Sequence, residues 1–303
     1  MLITMLGWIF YSYAQEFDTH WISYPLPNDT SEVLFRQIFV TSKRPRQATI
    51  TFVSSGMTKV YVNERNITRD LYFQNQDPHH LTSYTFDVTR FLRPDSNVIA
   101  VWYAPAKDMP ISKQLSLQYY GIDDKGKQFY HQTGQDWLCH ILHGCYVKDE
   151  NEEAFDNREY DPNWKATDYD TQGWMHPTGA YAHVCSFPIL SNAPPCPSIT
   201  LSECLIPIDS FSDSTGVINY DFGRTFEGSI RLTLRDAAKG EKLYIDGFTY
   251  ICNGDLDEQA FRRFTSNRKR FILIRGDRKF KESQIHNVEG LEYTNTIHEF
   301  LSN

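Results

Sequence analysis

Acid–base chemistry needs carboxyl groups in fixed positions, and the sequence clusters carboxyl groups at four places. They are Asp123–Asp124, Asp149–Glu150, Glu152–Glu153 and the group Asp255, Asp257 and Glu258. Cleavage of a glycosidic bond uses two carboxyl groups, one of which has a raised pKa and acts as the acid. All four clusters lie in polar, turn-like runs, where hydration keeps a carboxyl group near its usual pKa. We therefore interpret them as surface groups and assign no catalytic residue.

Two clusters contain the side chains of metal ligands. The run from Cys139 to Cys145 holds two thiols and two imidazoles, but structural zinc sites usually draw their ligand pairs from separated turns. The acidic run from Asn253 to Glu258 lacks the spacing of an EF-hand calcium loop. We favour ordinary packing for the first cluster and a solvated surface for the second. The sequence predicts no metal site and no cofactor, and it carries no phosphate-binding or dinucleotide-binding glycine motif.

One run combines indole rings with an acidic and a basic group, the side chains that bind sugars. Trp164 and Trp174 would offer flat apolar faces to sugar C–H groups, and Arg158 would hold Asp156 or Asp170 through two hydrogen bonds. We name Trp164, Trp174, Asp156 and Arg158 as the candidate carbohydrate-binding residues. The other interpretation is that both indoles pack at a domain seam while the Asp–Arg pair fixes a loop. That interpretation is favoured, because tryptophan is usually buried.

The elements that position these side chains are predicted to be β-strands. Aromatic residues make up 15% of the chain, and the first half alternates apolar and polar residues in about seven short runs with no convincing helix. Val98 to Tyr103 is apolar on both faces, which predicts a central strand. Asn219 to Leu232 is predicted to form two strands, with Gly223 and Gly228 bracketing the turn between them.

The turn in this stretch carries a family resemblance. Asp221-Phe-Gly-Arg224 followed by Gly228 resembles a motif in the β-sandwich domains that precede the catalytic domain of bacterial α-L-rhamnosidases, glycoside hydrolase family 78. Tyr61-Val-Asn63 and the segment from Asp87 to Val101 are similar to galactose-binding-like domains, and Phe155 to Trp174 is similar to the rhamnosidase linker. In this resemblance Asp221, Gly223 and Gly228 turn a strand and shape an edge of the sandwich, and Arg224 anchors that turn to a neighbour.

The resemblance implies an all-β chain of two antiparallel β-sandwich or jelly-roll domains. Residues 1–14 are predicted to be a signal peptide, residues 15–140 a galactose-binding-like sandwich, and residues 141–303 a connector and a second rhamnosidase-type sandwich. In the family, the catalytic acid and base lie in a C-terminal (α/α)6 barrel, and this sequence has no helical repeat of that kind. No catalytic residue can be carried over.

We therefore expect a non-catalytic carbohydrate-binding or accessory protein. Two alternatives stay open: a fragment or subunit of an α-L-rhamnosidase-like hydrolase, with catalysis on a separate chain, and a surface adhesion or structural module without a sugar site. The expected ligand is a glycan, and the resemblance suggests one that contains rhamnose. A net charge of −8 argues against nucleic acid as a partner, and the arginine-rich run 262–270 is interpreted as a solvated hairpin.

The first 14 residues bear on localisation. They are mostly apolar, end in a small-x-small pattern at Ala14, and are too short to span a bilayer. We expect a secreted, periplasmic or cell-surface protein, although the segment lacks the usual basic residue, and a buried first strand is the other interpretation. In an exported protein, one pair among Cys185, Cys196 and Cys204 lies close enough in sequence to form a disulfide.

Overall fold

The computed structural model describes residues 20–26, 30–74, 81–106, 114–149, 151–181, 189–191 and 197–297. Strands dominate these residues, and the helical elements within them are three short 3₁₀ turns: Thr89–Phe91, Pro162–Lys165 and Glu282–Gln284. The predicted all-β fold class is confirmed. The predicted signal peptide, Cys185 and Cys196 lie outside the described residues. Cys204 is exposed and has no disulfide partner within the described part of the chain.

The strands of the first half are β1 His20–Ser23, β2 Ser31–Thr41, β3 Gln47–Ser54, β4 Met57–Val62, β5 Arg65–Asn66, β6 Phe73–Gln74, β7 Leu81–Asp87, β8 Asp95–Ala104, β9 Leu115–Ile122, β10 Gln128–Gln132 and β11 Leu138–Val147. The strands of the second half are β12 Glu153–Asp156, β13 Thr178–Tyr181, β14 Ile189–Ser191, β15 Pro197–Leu205, β16 Asp209–Ser212, β17 Ile218–Arg235, β18 Lys242–Ile245, β19 Phe248–Ile251, β20 Asp257–Ala260, β21 Asn267–Gly276 and β22 Ile285–Ile297.

The strands form two sheets. One has the order β13-β1-β9-β3-β7-β14, with β10 paired to β9. The other has the order β15-β22-β17-β21-β18-β19-β12-β11-β2-β8-β4-β5, with β16 and β20 paired to β17 and β6 to β4. Pairing is antiparallel except between β12 and β19 and between β7 and β14. The smaller sheet and the β11-β2-β8-β4 part of the larger one enclose the first core.

Strand β8 explains why both faces of the large sheet are covered. It lies between β2 and β4, as its two-sided apolar pattern predicts. Ile99, Val101 and Tyr103 point into the first core, under the smaller sheet. Trp102 points the other way, into the second core, as does Leu34 on the neighbouring strand β2. The second core is continuous from this face of β8 into the second half of the chain.

Strand β11 carries the large sheet from one half of the chain to the other. It pairs with β2 on one side and with β12 on the other, so hydrogen bonding continues through the predicted boundary at residues 140 and 141. Cys139 lies in the first core and Cys145 in the second, which separates the two thiols of the metal-like run. Residues 157–177, which we call the connector, lead from β12 back to the first half, where β13 pairs with β1.

The predicted turn between Gly223 and Gly228 is not present. Residues 218–235 form one long strand, β17. Its register against β21 shifts between Asp221 and Phe226, so extra residues bulge out while the strand continues. Gly223 adopts a φ of 73° in this bulge. Gly228 is required for a different reason, because a Cβ atom there would overlap the Leu291 carbonyl oxygen on β22.

Candidate functional site

Trp164, a predicted sugar-stacking residue, is buried. Its 3₁₀ turn is capped by Asp161, whose side chain accepts a hydrogen bond from the Asn163 backbone N–H, and only 1% of Trp164 is exposed. The ring packs edge-on to Tyr61 at a centroid distance of 6.1 Å and stacks on Trp174 at 6.3 Å. The expectation of a flat face open to a sugar is not met at Trp164, because the connector folds the indole down onto the large sheet.

Trp174 is half-buried at the edge of the same stack. Its ring lies 5.3 Å from that of His140, and the buried Arg36 guanidinium lies 6.0 Å from its centroid. Arg36 donates a hydrogen bond of 2.6 Å to the Ala166 carbonyl, which ties the connector to β2. The packing interpretation therefore describes the surroundings of both tryptophans, whereas the part that Trp174 would play in sugar binding stays a prediction.

The predicted acidic and basic partners form a separate ion pair. Arg158 donates to both carboxylate oxygens of Asp156, at 2.9 and 2.6 Å, and its backbone N–H donates to the same side chain at 3.1 Å. Asp156 is buried at the end of β12, so this pair fixes the start of the connector. Asp170, the other predicted partner, instead accepts from the Gln172 backbone N–H.

The bulge motif of β17 is held by three ion pairs. Asp221 accepts two hydrogen bonds of 2.7 Å from Arg270, and a third of 2.7 Å from the Gly223 backbone N–H. Arg224 donates to both oxygens of Glu292, at 2.6 and 2.8 Å. It also donates to Glu203 at 2.9 Å, so it ties the bulge to β22 and β15. These contacts are structural, and they lie on the exposed surface of the second half.

Two of the carboxylates predicted to lie at the surface are buried. Glu153 has an exposed fraction of 0% and Glu258 of 3%. Glu258 accepts from the Tyr250 hydroxyl at 3.0 Å and from the Asn253 and Gly254 backbone N–H groups at 2.9 and 2.8 Å. Arg262, in the run interpreted as solvated, is 5% exposed. The surface interpretation is wrong for these residues, because sequence polarity does not reveal which partners the fold will bring to them.

Glu153 belongs to a group of charged and aromatic side chains between the two halves, the seam cluster, made of Glu32, Lys59, Trp102, Glu153, Arg263 and Phe264. Glu153 accepts a hydrogen bond from the Arg263 backbone N–H and bonds of 3.0 and 2.6 Å from the backbone and hydroxyl of Thr265. Because one carboxylate receives several donors from a loop distant in sequence, the seam cluster fixes that loop against β12.

Electrostatics in the seam cluster suppress charge. Burial raises the pKa of Glu32 to about 8, and the neighbouring Glu153 adds to this effect, while a hydrogen bond of 2.7 Å from the Trp102 indole opposes it. Burial lowers the pKa of Lys59 to about 7, with a further contribution from Arg263. The Lys59 ammonium lies 4.8 Å from the Phe264 ring centroid and 5.3 Å from that of Trp102. Aromatic faces therefore cover this cation.

A solvent-facing cleft lies in the first half, between the end of β2 and the β9–β10 hairpin. Its volume is about 430 Å³. Strand β2 belongs to the large sheet and β9 and β10 to the smaller one, so the cleft opens where the two sheets of the first core diverge. The side chains on which its chemistry depends are Gln37, Phe39, Tyr119, Phe129, His131 and Asp136. Below, the cleft means this cavity together with these six side chains.

Four rings form the wall of the cleft. The Tyr119 ring lies 5.0 Å from both Phe39 and Phe129, and His131 stacks on it at 6.0 Å with an interplanar angle of 18°. Only 1% of Tyr119 is exposed, and its buried hydroxyl has no hydrogen-bond partner within the described residues. Burial raises the pKa of Tyr119 above its ordinary value, so the hydroxyl stays protonated and able to donate. An unpartnered buried hydroxyl is a costly feature unless a bound molecule uses it.

Polar groups line the rim above these rings. The Gln37 side-chain amide donates to Asp136 at 3.3 Å. Burial lowers the pKa of His131, with Asp136 opposing this effect, so the imidazole is neutral at neutral pH and carries both a donor and an acceptor nitrogen. The cleft therefore combines apolar ring faces, an unpartnered hydroxyl, an imidazole, an amide and a carboxylate.

Sequence reasoning missed the cleft. The strands that form it were recognisable from their alternation, and Phe129 and His131 stand two residues apart on one face of β10. The pairing of β10 with β9 sets His131 opposite Tyr119. Recognising this hairpin in the sequence could have placed Phe129 and His131 beside Tyr119. The approach of Phe39, from the other sheet, had no signal in the sequence.

Two further findings concern metal binding and membrane spans in the described residues. Within the described residues, no group of three His, Cys, Asp or Glu side chains has an arrangement that could hold a metal ion. In the same part of the chain, no helix is long and apolar enough to cross a membrane.

Solved structures of the same fold are α-L-rhamnosidases. The enzyme from Dictyoglumus thermophilum matches with a TM-score of 0.80 at 18% sequence identity, over 92% of this chain and 36% of its own. The Streptomyces avermitilis enzyme, solved with L-rhamnose, matches with a TM-score of 0.75 at 19% identity, over 89% of this chain and 29% of its own. This chain has the fold of part of an α-L-rhamnosidase. The native Aspergillus terreus enzyme gives a TM-score of 0.75 at 15% identity, over 92% of this chain and 36% of its own.

The rhamnosidase resemblance drawn from the sequence motifs is confirmed as a likeness of fold. The chain spans about a third of the length of the rhamnosidases it matches. No protein-family model matches the sequence, and a comparison with curated proteins finds no match. The rhamnosidase-like fold therefore places the two cores and their strands, whereas function has to be argued from the side chains of this chain.

Proposed function

We propose that this chain is a non-catalytic carbohydrate-binding protein with a rhamnosidase-like accessory fold, and that the cleft is its binding site. The observation that carries the proposal is the buried Tyr119 hydroxyl, unpartnered within the described residues and set among the rings of Phe39, Phe129 and His131. Sugars present alternating C–H faces and hydroxyl groups, so a site for them needs ring faces together with convergent hydrogen-bond partners.

The chemistry of the cleft meets both needs. Phe129 and His131 are accessible at its rim and can stack on a sugar C–H face, since aromatic rings bury large apolar area with few rotatable bonds. The Asp136 carboxylate and Gln37 amide accept from and donate to sugar hydroxyls at the rim, and the Tyr119 hydroxyl, which the surrounding rings cover, donates to a ligand that displaces one of those rings. A volume of about 430 Å³ is in the range of small-molecule sites.

The proposal also includes the localisation of the protein and its relation to a catalytic domain. The protein is proposed to act outside the cytoplasm and to support a catalytic domain of the hydrolase type, on the same or a separate chain. The second candidate function is a piece of an α-L-rhamnosidase-like hydrolase. It is favoured by one observation, that the chain spans 29–36% of the rhamnosidases it matches.

Titration calorimetry and a glycan array that includes rhamnose-containing oligosaccharides test the proposal. We expect binding by the wild type, at least a tenfold loss of affinity in Phe129→Ala, and a smaller loss in Tyr119→Phe. Tyr130→Phe is the matched control, because Tyr130 lies between Phe129 and His131 on β10, is 51% exposed and is not among the residues that line the cleft.

Two outcomes would contradict the proposal. Binding to no sugar on the array would reject carbohydrate binding, and equal binding by the wild type and Phe129→Ala would reject the cleft as the site. Turnover of an aryl rhamnoside by the purified chain alone would overturn the statement that it is non-catalytic and would favour the second candidate function.

A further inference from the structure

We infer that the cleft selects uncharged saccharides and rejects acidic ones, an inference that rests on the proposed function and specifies its ligand class. Two features of the cleft determine this selectivity: the charged groups on its rim and the apolar surface of its wall. Both are set by residues on the same three segments: the end of β2, the β9–β10 hairpin and the loop before β11.

The rim of the cleft is acidic. Asp123, Asp124 and Asp136 line it, against one basic side chain, Lys43. Within the described residues, no ion pair neutralises any of these three carboxylates. One oxygen of Asp123 accepts from the Lys125 and Lys127 backbone N–H groups, at 2.9 and 2.7 Å, which holds that carboxylate in place at the turn.

The basic side chain of Arg46 is engaged outside the cleft. The Arg46 side chain donates a hydrogen bond of 3.0 Å to the Asp124 backbone carbonyl, which stabilises the turn. Arg46 is not among the residues that line the cleft. His131 is neutral, since burial lowers its pKa. A saccharide in the cleft therefore meets three carboxylates and a single ammonium group.

These charges act against an anionic ligand. A uronic acid or sulfated sugar would bring its negative charge next to the rim carboxylates, and like charges repel each other. The net charge of −8 on the whole chain adds to the repulsion during approach. A neutral sugar avoids this penalty and still uses the carboxylates as acceptors for its hydroxyl groups.

The apolar wall favours a ligand with a C–H face. The rings of Phe39, Tyr119 and Phe129 supply that surface, and Phe129 is only partly buried, so its ring is open to a ligand. The cleft is thus two-sided, with one side for hydrocarbon surface and the other for hydroxyl groups, and neither side offers an anion-binding group apart from Lys43.

Matched sugars test the inference directly. Titration calorimetry compares galactose-, glucose- and rhamnose-terminated oligosaccharides with the same oligosaccharides ending in galacturonic or glucuronic acid, at low and at high salt. We expect the neutral member of a pair to bind at least tenfold more tightly at low salt. The difference in affinity between the neutral and the acidic sugar should become smaller at high salt, because salt screens the repulsion. It should also become smaller in the double variant Asp124→Asn, Asp136→Asn, because two of the repelling charges are removed.

The control and the opposing outcomes separate this inference from the proposed function. Asp209→Asn removes an exposed carboxylate on β16, far from the cleft, and should leave this difference in affinity unchanged. Equal or tighter binding of the acidic sugars would overturn the selectivity while leaving carbohydrate binding intact, as would a difference in affinity unaffected by the double variant. Binding of no saccharide at all would remove both.

Discussion

The seam cluster and the cleft are built from the same kinds of side chain and differ in what surrounds them. Each places carboxylates and a base beside aromatic rings. In the seam cluster the fold supplies most of the partners: Glu153 accepts several hydrogen bonds from the loop at residues 263–265, and Trp102 donates to one oxygen of Glu32, although the other Glu32 oxygen and the Arg263 Nε have no partner in the described residues. In the cleft the Tyr119 hydroxyl lacks a partner among the described residues and the rim carboxylates face solvent.

This difference shows that residue type alone does not identify a binding site. A carboxylate whose hydrogen bonds are all made within the protein has no capacity left for a ligand, whereas an unpartnered group beside an open volume does. The same test applies to the predicted sugar residues, because Asp156 uses both oxygens on Arg158 and Trp164 is enclosed. The seam cluster should therefore control stability and the cleft should control binding, which the following variants test.

Replacement of Trp164 should have the largest effect on stability. Trp164→Ala removes a fully buried indole and leaves a cavity next to Tyr61, so we expect the free energy of unfolding to fall by about 3–5 kcal/mol. Chemical denaturation of the wild type and the variant measures this difference in the free energy of unfolding. Trp174→Ala is the control and should cost less, because Trp174 is half-buried. A loss below about 1 kcal/mol in Trp164→Ala would mean that the indole is not part of the core.

Replacement of Glu153 tests whether the seam cluster is structural. Glu153→Gln keeps the size of the side chain but removes the charge that several donors share, so we expect a loss of about 2–4 kcal/mol in the free energy of unfolding. The adjacent Glu152 pairs with Lys148 in solvent, and Glu152→Gln should change stability by less than about 1 kcal/mol. Similar effects for the two variants would place Glu153 at the surface after all.

The pH dependence of stability tests the raised pKa of Glu32. In the folded protein this pKa is about 8, above the usual 4.5, so the folded state binds a proton that the unfolded state releases between these pH values. The stabilising contribution is full below pH 4.5 and is lost as the pH rises towards 8. From pH 5 to pH 7 the wild type should lose about 2 kcal/mol more than Glu32→Gln.

The measurement is thermal or chemical unfolding of both proteins across this range. The upper limit of pH 7 keeps the deprotonation of Lys59, whose pKa is about 7, from dominating the comparison. Parallel pH profiles for the wild type and Glu32→Gln would show that the Glu32 carboxyl group is ionised in the folded protein like a solvated one.

The smallest effect on stability should come from the base of the cleft. Tyr119→Phe removes a buried hydroxyl without a partner in the described residues, so we expect the free energy of unfolding to change by less than about 0.5 kcal/mol, or to rise slightly. The same variant should bind sugar more weakly. A loss of stability above about 1 kcal/mol would mean that the hydroxyl already has a partner within the protein, and the contrast with the seam cluster would fail.

Much of the fold could be predicted from short sequence patterns. The alternation of apolar and polar residues gave strands, and the two-sided apolar run in β8 placed it at the centre of a sheet. The bidentate partner of Arg158 was among the two predicted, because Asp156 is two residues away. The motif around Asp221 correctly indicated the rhamnosidase-like fold. It also predicted a turn where the structure has a bulge, because glycine supplies a positive φ in both.

The sequence by itself determined the all-β class, the central position of β8 and the rhamnosidase-like architecture, because these follow from local periodicity and short motifs. Only the tertiary structure decided that Glu153 is buried and that Phe39 meets Tyr119 across two sheets. Both depend on contacts between residues far apart in the chain, Glu153 with the loop at residues 263–265 and β2 with β9. Burial and hydrogen-bond partners are set by such contacts, so the separation between seam cluster and cleft is a property of the folded chain.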